Sequence, residues 1–176
     1  MPTAGMRSLH LTVGFALVYL LVGANPMNAQ GDCKAVLQAA NKTLTAATHS
    51  YTAMNIGGKD QTVEMIYLPG VIYSRLNGKW SSVKMTAQEL AELRKPPAHN
   101  DTAVCKYVKD ELVTGEMAVL YSSHDVTSKG SVDSHMWISK ATRLLMRVDM
   151  DIDVGGSGGK SHTSSRYEYG DVKPPM

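Results

Sequence analysis

Several stretches of this 176-residue sequence set reactive side chains at spacings that could do chemistry. Gly155-Gly156-Ser157-Gly158-Gly159 could cradle a phosphate on its backbone N–H groups. A phosphate loop, however, needs a helix N-terminus behind it, and the residues after Gly159 alternate as a strand does. Asp149, Asp151 and Asp153 open like a calcium loop. Such a loop requires glycine at its sixth position and an acid at its twelfth, where this chain has Val154 and Lys160. His124, His135 and His162, with Asp125 and Asp133 nearby, could meet on neighbouring strands, but the H-x-x-x-H and H-E-x-x-H spacings of metal sites are absent. Ser123-His124-Asp125 is no triad, because successive strand residues point to opposite faces, and no G-x-S-x-G elbow exists. No catalytic residue, metal or other cofactor is expected.

Cys33 and Cys105 are the two cysteines of the chain. They lie behind a start that reads as an export signal. Arg7 and His10 precede an apolar run from Leu11 to Val22, and small residues at Ala24 and Ala29 offer cleavage sites, with the cut after Ala29 preferred. The run falls short of the ~20 apolar residues a membrane span needs. The expected division is a signal peptide over 1–29 and a single domain over 30–176, periplasmic or secreted, with no stable span after cleavage. In that oxidising compartment Cys33 and Cys105 read as a disulfide.

The formal net charge is +2, and removing Arg7 with the leader leaves +1. Neither a Lys/Arg cluster nor interleaved aromatics points to nucleic acid, so no nucleic-acid partner is expected. The mature length suits one core, and a monomer is expected.

The elements that would position these residues are mostly strands. Asp32 caps a helix expected to run to about Thr48, with Cys33, Leu37, Ala40, Leu44 and Ala47 on one stripe. From His49 the period changes to two. Gln61–Leu68 sets Val63, Met65 and Tyr67 on one face, and Asn77-Gly78 joins Val71–Leu76 to Lys79–Val83 as a hairpin. Thr86-Ala87-Gln88-Glu89 is a capping box that opens a short helix, stopped by Pro96-Pro97. Strands then follow over 103–112, 116–123, 131–139, 144–154 and 161–169. In the last pair, the register that matches charge sets Val154 against Ser161, Arg147 against Glu168 and Asp149 against Arg166. The expected fold is α+β and mostly β: a curved antiparallel sheet of eight or nine strands, an incomplete β-barrel, with an N-terminal helix and a short lid helix.

Methionine is abundant in the domain and phenylalanine absent from it. Met65, Met117, Met136, Met146 and Met150 fall on apolar strand faces. This flexible, polarizable side chain suits either an adaptable core or a surface that accepts varied apolar partners.

The segment Trp137-Ile138-Ser139-Lys140-Ala141-Thr142-Arg143-Leu144-Leu145-Met146-Arg147 resembles the W-I-D/S-x-x-T-G-L-P-L-R hairpin of the LolA-like lipoprotein-carrier superfamily. The ending from Arg166 to Pro175 and the order helix, strands, short helix, strands are similar too. Arg143 stands where that group has glycine, and Leu145 where it has proline. The resemblance implies a half-barrel that binds an acyl chain or another hydrophobic ligand without catalysis. Its cavity would be lined by Val63, Met65, Tyr67, Met117, Val119, Tyr121, Met136, Met146, Val148 and Met150. The leading expectation is a periplasmic, non-enzymatic carrier of a lipid-like or lipoprotein ligand. The alternative is an envelope protein-interaction or sensor module on the same fold, recognised by an exposed apolar patch or sheet edge.

Overall fold

The computed structural model describes residues 32–56, 58–76, 78–86, 88–89, 92, 104–127, 130–155 and 159–175. The expected leader and most of the short helix lie outside them. The described start of that helix carries the capping box: Thr86 N–H donates to Glu89 Oε2 at 2.7 Å, and Glu89 N–H donates to Thr86 Oγ1 at 3.2 Å.

Among the described residues the chain forms helix α1 (Asp32–Thr43) and nine strands: β1 (Thr48–Ile56), β2 (Lys59–Leu68), β3 (Val71–Leu76), β4 (Lys79–Lys84), β5 (Val104–Val113), β6 (Glu116–Thr127), β7 (Gly130–Ser139), β8 (Leu145–Val154) and β9 (Gly159–Tyr169). They make one antiparallel sheet in the order β4-β3-β2-β1-β9-β8-β7-β6-β5, which does not close into a barrel. Two meanders run outward from the middle, and the first and last strands pair at the centre. The curved sheet with a helix on one face is the expected fold class.

Helix α1 stops four or five residues earlier than the periodicity suggests. Threonines replace good helix formers there, and their hydroxyls take the end carbonyls: Thr45 Oγ1 donates to Lys42 O at 2.8 Å and Thr48 Oγ1 to Ala46 O at 2.9 Å. The buried stripe is also rotated from the expected one. Cys33, Val36, Ala39, Ala40 and Thr43 face inward, while Leu37 and Leu44 are only half-buried. Val36, Ala39 and Ala40 pack on Val132, Met136, Ile138, Leu145, Val148 and Met150 of β7 and β8. Small residues on the helix allow this close approach. The Cys33–Cys105 disulfide, with Cα atoms 5.0 Å apart, ties the start of α1 to β5. Closing a 72-residue separation removes unfolded-state entropy amounting to about 4 kcal/mol in the chain-entropy account.

A β-bulge in β8 anchors the other end of the helix. Trp137 pairs with Arg147 but Ile138 pairs with Leu145, so the bulge takes up one residue and brings Leu145 into the core at 2% exposure. Its backbone is satisfied by a closed cycle. Leu145 N–H donates to Thr43 Oγ1 (3.1 Å) and Tyr169 Oη donates to Leu145 O (2.6 Å). The Thr43 hydroxyl is left to donate to the Tyr169 oxygen (3.1 Å). One cooperative ring thus joins α1, β8 and β9.

The β8–β9 register differs from the expected one by two residues: Val154 meets Gly159, Asp149 meets Ser164, and Arg147 meets Arg166. A two-residue shift keeps each side chain on its face, so core patterning cannot oppose it. The hairpin closes earlier because Gly159 adopts φ 73°. The two facing guanidiniums are each neutralised along their own strand. Asp149 takes two bonds from Arg147 at 2.9 and 2.6 Å, and Glu168 lies 3.2 Å from Arg166.

The hairpin between β7 and β8 accounts for the glycine of the resembling group. Arg143 sits at φ 59°, a left-handed conformation that costs a β-carbon about 1 kcal/mol or more. Arg143→Gly should therefore raise stability by about 0.5–1 kcal/mol after the extra unfolded-state freedom of glycine is deducted. A urea midpoint that falls instead would contradict this reading.

Burial pushes the Tyr167 phenol up to about 12, partly offset by a hydrogen bond with Ser165. Burial also raises Tyr67, helped by Tyr167, and Tyr169, where Thr43 opposes it. A folded pKa above the unfolded value near 10 gives stability that is complete below pH ~10 and lost as pH climbs toward the folded value. Alkaline titration should show phenolate absorbance rising in two steps, the second together with loss of the circular-dichroism signal. A single step near pH 10 with the fold intact would refute the assignment.

Candidate functional site

The helix-side face holds the ten residues expected to line a cavity, in several different settings. Met136, Val148 and Met150, at 3%, 0% and 1% exposure, lie under α1 in the core cluster, and Tyr121 packs against it. Val119 is buried opposite Ile138. Val63, Met65 and Tyr67 share this face but stand on β2, three strands away from β8. Between them β1 and β9 present Thr48, Ser50, Thr52, Thr163 and Ser165, all buried, with Thr52 and Ser165 hydroxyls 2.9 Å apart. The Tyr67 hydroxyl donates to the Met65 sulfur at 3.4 Å. Met146 is the extra residue at the β8 bulge and is buried. Met117 lies at the rim, 44% exposed, opposite Leu112 at 65%. The structure therefore brings together Tyr121, Met136, Val148 and Met150, and holds the β2 group apart from them.

The β5 edge carries the largest run of exposed apolar side chains among the described residues: Val104, Tyr107, Val108 and Leu112, next to Met117 of β6. Val108 is the bulged residue where the pairing with β6 shifts between Tyr107 and Lys109. Edge strands normally carry charge that discourages further pairing. Here three of the charges on β5 are engaged within the chain: Lys109 with Glu111 at 2.8 Å and Asp110 with Lys140 at 2.5 Å. The Glu111 carboxyl is held below its usual range by the hydrogen bond from Lys109, then by the one from Trp137 Nε1 at 2.5 Å.

The opposite, solvent-facing side carries an arrangement the sequence did not disclose. Trp80, Arg75, Glu64, Tyr51, Arg166, Arg147 and Trp137 are consecutive register partners on seven adjacent strands. The three arginines lie over aromatic rings, Arg75 on Trp80 (5.9 Å), Arg166 on Tyr51 (4.9 Å) and Arg147 on Trp137 (4.9 Å). Glu64 accepts from Arg75 at 3.2 Å and bonds His49 Nε2 at 2.8 Å, and the His49 ring stacks on Tyr51 at 4.4 Å. Burial and the nearby Glu168 and Glu64 raise the Tyr51 phenol, while Arg166 opposes them. Over this part of the row opens a cleft of about 680 Å³, whose walls include Tyr51, Asp60, Thr62, Glu64, Arg75 and Arg166. Each residue occupies an ordinary polar position on its own strand, so only the full set of registers reveals the line.

The histidines lie on this same side. His124 pairs with Asp133 at 2.6 Å and His162 with Asp151 at 2.8 Å, and the two histidines stand three strands apart. Among the described residues no group of three His, Cys, Asp or Glu side chains could hold a metal ion. None of the described helices is long and apolar enough to cross a membrane.

Neither a family model nor a curated protein matches this chain. Solved structures do. MucB, crystallised in complex with MucA(peri), matches at 12% identity and a TM-score of 0.50, covering 82% of this chain and 57% of its own. This chain thus spans a little over half the length of MucB. A DUF1329 family protein from Desulfovibrio piger matches at 11% identity, with 80% and 93% coverage and a TM-score of 0.28. A LolA superfamily protein from Nitrosomonas europaea matches at 4% identity, with 81% and 94% coverage and a TM-score of 0.31. The chain shares the LolA-like fold of MucB, and the resemblance read from its β7–β8 hairpin holds at the level of the fold.

Proposed function

We propose that this chain is a non-enzymatic envelope binding protein that receives an extended protein segment along the edge strand β5. The observation that carries the reading is the exposed apolar rim of Val108, Leu112 and Met117 beside a sheet edge. An incoming strand would gain backbone hydrogen bonds from the edge and bury those side chains. Support also comes from the cover on the expected cavity, since α1 already occupies the face above Met136, Val148 and Met150. MucB, which has this fold, was crystallised with a protein partner. The leader over 1–29, the domain over 30–176 and the disulfide are consistent with a periplasmic or secreted protein. Among the described residues no convergent acid–base set favours an enzyme.

The carrier of a hydrophobic ligand is the second reading, favoured by Val63, Met65 and Tyr67, which share the apolar face but stand clear of the α1 core cluster. A photo-crosslinking residue placed at Val108 or Leu112, with one at Ser82 on β4 as control, should give a discrete protein adduct in the periplasm from the β5 sites alone. Leu112→Asp combined with Met117→Asp should abolish it. Native mass spectrometry that instead finds a stoichiometric extractable lipid, with no adduct, would overturn this reading in favour of the carrier.

A further inference from the structure

The row on the solvent-facing side of the sheet is neutralised by Glu64 and by the neighbouring Asp149 and Glu168, is open and held in place, and no part of the proposed protein contact uses it. Six steps of about 4.8 Å make it roughly 29 Å long. Both tryptophans of the chain stand at its ends, with Tyr51 midway, three strands from each. The cleft near its middle, about 680 Å³, falls within the usual size of small-ligand sites.

We propose that this cleft binds an uncharged linear oligosaccharide lying across β3, β2, β1 and β9. The charges of the wall decide against other ligands. Arg75 and Arg166 are balanced by Asp60 and Glu64, so no net positive field draws a phosphate or carboxylate. The wall is too polar for an acyl chain. Donors and acceptors alternate along it. Each guanidinium offers five N–H groups, while Arg75 donates to Glu64 and Arg166 to Glu168 with few of them. Vicinal sugar hydroxyls donate and accept together, which is the chemistry such interleaved arginine and carboxylate groups meet. A hexose in a chain repeats on the scale of the interstrand spacing, so successive rings would fall over successive strands. Beyond the cleft, the half-buried indoles of Trp80 and Trp137 offer apolar surface for the outer rings. The site is also preorganised. Tyr51 is fixed between His49 and Arg166, and Glu64 between His49 and Arg75, so ordering costs on binding are small.

The test is titration of the full exported chain with chitohexaose and with maltohexaose at millimolar concentration, read by the indole and arginine side-chain N–H resonances. One hexasaccharide should give saturable shifts at Arg166 and Trp80. Arg166→Gln should weaken binding about tenfold, as should Trp80→Phe, which sits on an edge strand and spares the fold. Leu112→Asp should leave it unchanged, which separates this site from the β5 contact. The absence of saturable shifts with both sugars would overturn the proposal. So would displacement of the sugar by inorganic phosphate, or undiminished binding in both row variants.

Discussion

Burial of one narrow stripe of α1 determines which side of the sheet is inside. Val36, Ala39 and Ala40 are small enough to bring the helix backbone close to β7 and β8, where Met136, Val148 and Met150 lose nearly all contact with water. Each such side chain contributes about 1.5–3 kcal/mol, several times what an exposed cation–π contact or surface ion pair supplies. The disulfide at the start of the helix and the Thr43–Leu145–Tyr169 ring at its end hold that stripe from both sides. Once the inner face is set, strand periodicity sends every alternate residue outward, and the transverse row of arginines and aromatics follows from register alone.

The two faces thus solve different problems. Methionine supplies the inner one with shape-adaptable bulk in a domain that contains no phenylalanine, and Met136 and Met150 do so under the helix. Where β1 and β9 meet, the inner face turns to serine and threonine instead. Their hydroxyls bond across the strands, as Thr52 and Ser165 do, so polar groups are buried there with partners. On the outer face, Arg147 and Arg166 stand directly opposite one another, an arrangement that would repel were Asp149 and Glu168 not beside them.

Local signals in the sequence carried the fold far. Period-two alternation located the strands within a few residues. Asn77-Gly78 marked its hairpin, and the W-I-S-x-x-T segment marked the β7–β8 turn where Arg143 adopts the glycine-like conformation. Three features escaped for physical reasons. The end of α1 depends on hydroxyls of Thr45 and Thr48 competing for carbonyls, which a stripe of apolar residues does not register. The bulge at Leu145 shifts alternation by one and exchanges the roles of Leu144 and Leu145 in the core. Pairing opposite charges across strands favours a different β8–β9 register, but the charges find partners along their own strands, and a shift by two leaves the apolar pattern untouched. The outer row was illegible for the same reason, because it exists only when six registers are known together.

The strand pair at the middle of the sheet joins the earliest strand of the fold to the last. Each meander is a run of hairpins between neighbours in sequence, quick to zip and low in loop-closure cost, whereas the β1–β9 seam spans the whole domain. Until β9 has been made, β1 must wait with an open flank at what will become the centre of the molecule. A chain stopped short of β9 would hold two sheets, each with a fresh edge, where the finished one has a continuous surface. The seam makes the arrival of β9 the event that converts two local structures into one body.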